Sequence, residues 1–310
     1  MKNIHQLAGV PIDMAIFLRV IERGNFVRAS EDLGLTPSAV SKAISRLEDR
    51  LGVRLLSRTT RNLNLTSEGE IYLKHARDIA AAIEHAEAET ASSSKTPSGY
   101  LRLTIAAALA KHQIAPLLPE FLERFSAIEI DLNITEQHVD IIKENYDIAI
   151  RPGNLIDSNL IGTKLAEADR HICASPDYIA RHGKPLTPID LRQHNCLTTS
   201  GFPSLSRWQF EVDRESLSID ITGNIKCDNT DLLLDLALAG KGITRLLETV
   251  CGNALQSGAL EILLEQHHVT ATVPIWAITP PGRISLPRVR VFVDFLKEKL
   301  QPRPWSLVSR

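Results

Sequence analysis

Between Thr36 and Arg61 the chain gathers side chains that can grip and read a polyanion. Ser38, Ser41 and Ser45 carry hydroxyls, Lys42 and Arg46 carry charge, and Arg58 and Arg61 follow in a short polar stretch. Hydroxyls and cations of this kind donate to base edges and to phosphate oxygens. Lys42, Arg46, Arg50, Arg54, Arg58 and Arg61 are opposed only by Glu48 and Asp49, so the stretch carries +4 inside a chain of net charge −2. That asymmetry is the electrostatic footprint of a nucleic-acid patch. A plainer reading stays open, because many helical hairpins pack only on protein and solvated helix faces are often basic.

The elements that would position these groups are legible. Thr36 is a good N-cap, Pro37 suits the first helical position, and Gly34 suits the turn before it. Val40, Ile44, Leu47 and Leu51 then recur at i, i+4, i+7 and i+11, which predicts one apolar stripe. Ser38, Lys42 and Ser45 fall opposite that stripe, with Ser41 and Arg46 on its flanks. A preceding helix runs from about Phe26 to Leu33. Ser30, Gly34 and Val40 sit at the spacing of a helix-turn-helix. Thr36, Pro37, Ser38, Ser41, Lys42 and Arg46 would then enter a major groove. Leu63 and Leu65 alternate with polar residues as a half-buried strand does. The hairpin carrying Arg58 and Arg61 reads as a wing on the phosphate backbone or the minor groove.

The 310 residues suggest two or three domains, and 44% apolar residues suffice for globular cores. No apolar run approaches the ~20 residues of a membrane helix. Met1 to Pro11 lacks the apolar core of a secretion signal. Cys173, Cys196, Cys227 and Cys251 show no CxxC spacing and read as the reduced thiols of a cytoplasmic protein. Thr66 or Ser67 caps a long helix reaching about Ala91, with Ile79, Ile83, Ala86 and Thr90 as a narrow stripe suited to a partner helix. A connector packed on its own domain is the alternative. A polar hinge follows up to Gly99. Beyond it strands and helices alternate: strands at 100–106, 128–134 and 147–151, helices at 114–125 and 139–144. Such alternation argues for a parallel α/β sheet. Later segments continue it, with helices at 176–183, 231–239 and 288–300.

The run Asp13, Phe17, Val20, Gly24-Asn25-Phe26, Ala29-Ser30, Leu33, Thr36 to Lys42, Ile44, Leu47-Glu48, Leu51-Gly52, Leu55 to Arg58, Leu65-Thr66 and Gly69 resembles the LysR-type transcriptional regulators. Leu56-Ser57 stands where that family commonly has Phe, Pro37 where it has Gln, and Lys42 where it has Arg. The resemblance covers nearly the whole chain. It implies a multidomain fold: an all-α winged helix-turn-helix over 1–66, a linker and dimerisation helix over 67–92, a hinge over 93–99, and an α/β effector-binding domain over 100–310. It further implies that the latter resembles type 2 periplasmic binding proteins, with subdomain I at 100–167 and 272–300 and subdomain II at 168–271. The implied partners are double-stranded DNA, a small-molecule effector (organic acids and aromatic compounds are common ones) and further copies of the chain as a dimer or dimer of dimers, with RNA polymerase admitted as another.

Open α/β sheets bind ligands at strand ends, and a cleft between subdomains is the default pocket. Ala107 and Ala108 lead into a helix near Lys111, where backbone N–H groups can hold an anion. Arg151 follows the apolar strand Ile148-Ala149-Ile150 and would anchor a carboxylate bidentately, unless it forms an interdomain salt bridge. Thr199 and Asn229 offer polar groups at two further strand ends, with turn and capping roles as the plainer reading. Thr244-Arg245-Leu246-Leu247 stands where relatives carry a Pro-ended segment. Gly240-Lys241-Gly242 lacks phosphate-loop spacing, the histidines lack metal spacing, and no GxSxG or HExxH occurs. Neither a catalytic site, a metal nor a cofactor is expected. The competing reading is a soluble binding protein or enzyme whose N-terminal helices serve assembly.

Overall fold

The computed structural model describes residues 12–59, 62–90, 97–155, 159–200, 206–269 and 272–307. Two compact units divide the chain: one over 1–95 with the short segments 142–145 and 282–287, the other over the remainder.

In the first unit α1 (Ile12–Arg23), α2 (Phe26–Leu33) and α3 (Pro37–Leu51) are followed by the hairpin β1 (Leu56–Thr59) and β2 (Asn62–Leu65), then α4 (Ser67–Thr90). Gly34, left-handed at φ 66, closes α2, and the Thr36 Oγ1 accepts from Ala39 N to open α3. The expected stripe is buried at Val40, Ile44 and Leu47, whereas Leu51 is exposed; Ala43 joins the buried face. It packs with Phe17 and Val20 of α1 and with Leu55, and Tyr72 of α4 meets Phe17 edge-on at 5.4 Å. The cap of α4 is Thr66, whose hydroxyl accepts from Gly69 N. Gly69 has a steric reason: a Cβ there would lie 2.0 Å from the Leu55 carbonyl oxygen. Along α4, Leu73 and Ala76 are buried in this core with Ile83 packed beside them, while Ile71 and Ile79 are exposed. Ala86 and Thr90 of the expected stripe have side chains outside the described residues.

The second unit holds two five-stranded sheets. Its elements run β3 (Gly99–Ile105), α5 (Ala107–Leu109), α6 (Leu118–Arg124), β4 (Ile128–Ile134), β5 (Ile148–Pro152), β6 (Ile161–Ala168), β7 (Arg170–Ala174), α7 (Pro176–His182), β8 (Cys196–Thr199), β9 (Arg207–Val212), β10 (Glu215–Asp220), β11 (Lys226–Cys227), α8 (Thr230–Leu238), β12 (Ile243–Leu247), α9 (Glu248–Gln256), β13 (Glu261–Ile262), β14 (Val273–Thr279) and α10 (Pro287–Leu300). One sheet has the order β4-β3-β5-β14-β6, the other β11-β8-β12-β7-β13.

The expectation of parallel sheets needs correction. β3 pairs in parallel with β4 and β5, but β14 returns antiparallel to both β5 and β6. In the other sheet β12 is parallel to β8 and antiparallel to β7. The helix expected at 139–144 is absent. Extended chain and turns stand there, because Val139 and Ile141 pack with Tyr146 and Ala149 in a small separate core. The helix expected at 114–125 starts earlier, at Ala107, and passes through a π-turn at Ala110–Ile114. Among the described residues no helix is long and apolar enough to cross a membrane.

Candidate DNA-reading face and effector cleft

On α3, Thr36, Pro37, Ser38, Lys42 and Arg46 are exposed and Ser41 is half-buried. The Thr36 hydroxyl, besides capping, lies 3.0 Å from the Ser38 hydroxyl. Among the described residues Lys42 has no ion-pair partner. Arg46 has one: Asp13 of α1 accepts from Nη2 at 2.6 Å, and its hydrogen bond and charge hold the guanidinium above its ordinary value. Arg46 is therefore already matched, as is Arg54, which pairs with Glu48 at 2.9 Å. Arg58 lies on β1, but its side chain and the whole of Arg61 fall outside the described residues.

Glu48 was counted only as an opposing charge, yet its side chain is 3% exposed. Oε1 accepts from the backbone N–H of Leu55 at 2.9 Å and of Leu56 at 3.1 Å. Oε2 accepts from Arg54 at 2.9 Å. One carboxylate thus ties the reading helix to the start of the wing and fully satisfies itself, which is what a buried charge requires. A polar residue at an otherwise apolar stripe position, followed by Gly52, was the available signal.

A cavity of about 710 Å³ lies between the two sheets of the second unit. Ala108 and Arg151 line it from the first sheet's side, Thr199, Arg170 and Leu247 from the second's. Its apolar surface includes Val139, Leu160, Leu246, Val250 and Ile278, and the Trp276 indole is fixed by donation to the Gly153 carbonyl at 3.0 Å. Arg151 donates from Nη2 to the Thr104 hydroxyl at 2.8 Å and from Nη1 to the Ile150 carbonyl at 3.1 Å. Burial pushes its guanidinium below the ordinary value, opposed by the charge of Glu136.

The remaining expected effector residues separate from this cleft. Ala107, Lys111 and Asn229 line a second cavity of about 260 Å³. The Ala107 N–H already donates to Glu136 at 2.9 Å, so its anion site is filled by the protein's own carboxylate. Lys111 Nζ is 2.5 Å and His112 Nε2 is 2.6 Å from the Asp231 carboxylate. Burial raises that carboxyl, but the bonds from Lys111 and His112 win and hold it low. Asn229 Oδ1 accepts from Asp231 N and Leu232 N, the capping role, and the adjacent Thr230 lines the larger cleft.

Arg170 went unnoticed in the sequence. It opens an apolar strand as Arg151 ends one, and that symmetry was the signal. Its guanidinium is pushed down by burial. Arg245 is pushed down to about 10 by burial and by Arg170. His268 is pushed down to about 4 by burial and by Arg245, His171 and Arg170. Among the described residues no cluster of three or more His, Cys, Asp or Glu could hold a metal ion.

Residues 12–70 match the model of the bacterial regulatory helix-turn-helix protein, lysR family, and residues 94–301 match the LysR substrate binding domain. The chain is 36% identical over 288 residues to the HTH-type transcriptional regulator CrgA of Neisseria meningitidis serogroup C, covering 93% of this chain and 96% of that one. The CrgA structure from Neisseria meningitidis superposes with a TM-score of 0.64 at 35% identity, covering 94% of this chain and 99% of that one. The full-length Vibrio cholerae virulence activator AphB gives 0.58 at 26% identity, over 92% and 97% of the two chains. The chain belongs to the LysR family of transcriptional regulators. It pairs a helix-turn-helix with a ligand-binding domain, and its relatives are named as regulators rather than enzymes.

Proposed function

We propose that the chain acts in the cytoplasm as an oligomeric regulator whose grip on DNA responds to a small anionic metabolite held between the two sheets. Thr36, Pro37, Ser38, Ser41, Lys42 and Arg46 enter the major groove, and Arg58 and Arg61 serve the backbone or minor groove. The observation that carries the reading half is the solvent-facing polar side of α3, braced from behind by Glu48. The observation that supports the anion is Arg151, half-buried at the cleft wall, bonded to neutral groups with part of its donor fork uncommitted to any carboxylate. Exposed Ile71 and Ile79 on α4 supply apolar surface for a second copy.

The ligand would bias the relative angle of the two subdomains, and in an oligomer that bias would alter the spacing of the readers and the bend of the DNA. Binding of the full chain to a duplex of its own upstream region, measured by anisotropy against salt, tests the reading. Ser41→Ala should cost about tenfold on the specific duplex and little on random sequence. Lys42→Ala should weaken both and flatten the salt slope by about one phosphate contact. Equal losses for Ser41→Ala on both duplexes would remove it from the reading set.

A further inference from the structure

Arg170, on the wall of the cleft, shares a face of its sheet with Arg245. In the β7–β12 register, Leu247 stands opposite Arg170 and Arg245 opposite Ile172. Side chains directly opposite share a face, and i, i+2 neighbours share it too, so both guanidiniums project from one side of the sheet. Arg245 lies over the Trp208 ring at 5.9 Å, which leaves Arg170 as the member that reaches the cavity. Among the described residues the Arg170 guanidinium makes no ion pair or hydrogen bond, although the residue is half-buried. The acids lining the cavity are Glu136, whose charge acts on Arg151 and which takes the Ala107 N–H, and the exposed Asp228. Glu248, the acid of α9, is occupied by His171 at 3.1 Å and by the Asp169 N–H. A guanidinium does not lose its proton in a protein, so one held away from water next to a second guanidinium calls for an anion from outside.

Resting on the proposed effector role of the cleft, we infer that its ligand is dianionic, one carboxylate held by Arg151 from the first sheet and a second held by Arg170 from the other. The apolar lining between them, with Leu247, Val250, Ile278 and Trp276, fits a hydrocarbon or aromatic body. A ligand of this form grips both subdomains at once and so couples occupancy to their closure. A monoanion would hold one side only. The second cationic site also sets specificity, because a monoacid leaves Arg170 unmatched.

The test is calorimetry on the full chain with succinate, adipate and terephthalate, each against its monoacid: butyrate, hexanoate and benzoate. At least one diacid should bind about tenfold or more tightly than its monoacid, the return of one charge-assisted site. Arg170→Gln should erase that preference by weakening each diacid about tenfold more than its monoacid. Arg170→Lys, which keeps the charge without the fork, should restore part of it. Arg151→Gln should weaken diacids and monoacids together. A cooperative melt of the second unit at the wild-type temperature shows that each variant is folded there. If diacids bind no better than monoacids, or if Arg170→Gln and wild type show the same ratio, the inference fails while the role of Arg151 stands. If Arg151→Gln changes no affinity, the anionic-effector reading itself fails.

Discussion

Glu48 in the reader and Arg170 in the cleft are both charges withdrawn from water, and their surroundings are opposite. Glu48 accepts from two backbone N–H groups and a guanidinium. Arg170 has a like charge beside it and no partner among the described residues. A satisfied buried charge does structural work, whereas an unmatched one at a cavity wall marks where a ligand goes. The contrast separates the part of the molecule that must hold one shape from the part that must wait for an occupant.

The largest expected effect breaks the satisfied member. Glu48→Ala leaves the Leu55 and Leu56 N–H groups without an acceptor and should cost about 3 kcal/mol in the reader. Urea unfolding followed by a probe in the first unit reads it, together with loss of duplex binding. Glu48→Gln keeps an acceptor oxygen and should lose markedly less. Equal stability of Glu48→Ala and wild type would show that the carboxylate braces nothing.

His268 shows the same logic on the cleft side. Burial, reinforced by the charges of Arg245, His171 and Arg170, pushes its ring down to about 4. The unfolded chain binds that proton from its ordinary 6.5 downward. Stability is therefore undiminished above that pH and falls as pH drops from 6.5 towards 4, by on the order of 1–2 kcal/mol after allowing for partial exposure. His268→Gln should flatten this acid limb in a series of melts. An unchanged limb would place the titration elsewhere.

The difference between the regions also explains what the sequence disclosed. Thr36, Pro37, Val40, Ile44 and Gly34 follow local capping and helical-period rules, so spacing alone located the reader and its caps. Arg151 could be found because it ends a short apolar strand. Arg170 could not be weighed until β7 was seen beside β12, some 75 residues on, and only the cavity shows that the two arginines face one space. β12 is a segment where relatives carry a Pro-ended one, so its sequence alone gave Arg245 no neighbour. Val139 to Glu144 misled for the same reason: its apolar residues have helical spacing but bury themselves against Tyr146 without a helix.

A smaller effect sharpens the comparison from the unmatched side. Replacing an uncompensated charge by an apolar group of similar length relieves its desolvation, so Arg170→Met should raise the stability of the ligand-free chain by about 1 kcal/mol. The sign is opposite to that for Glu48→Ala. A destabilised Arg170→Met would mean that the guanidinium is matched within the protein after all.

The smallest effect concerns a charge that is neither buried nor free. Arg46 is exposed and leans on Asp13, so the reader's surface holds one cation already spoken for by α1. An exposed pair of this kind contributes little to stability, because water and salt screen it and two side chains must be ordered to form it. Its consequence lies in counterions. Asp13→Asn frees Arg46 to meet a phosphate, and each phosphate neutralised steepens the dependence of log affinity on log salt by about 0.9. Affinity should therefore rise on specific and random duplexes alike, with the steeper slope, while thermal stability barely moves. An unchanged slope would place Arg46 outside the DNA footprint and leave Lys42 and the wing as the cationic contacts of the reader.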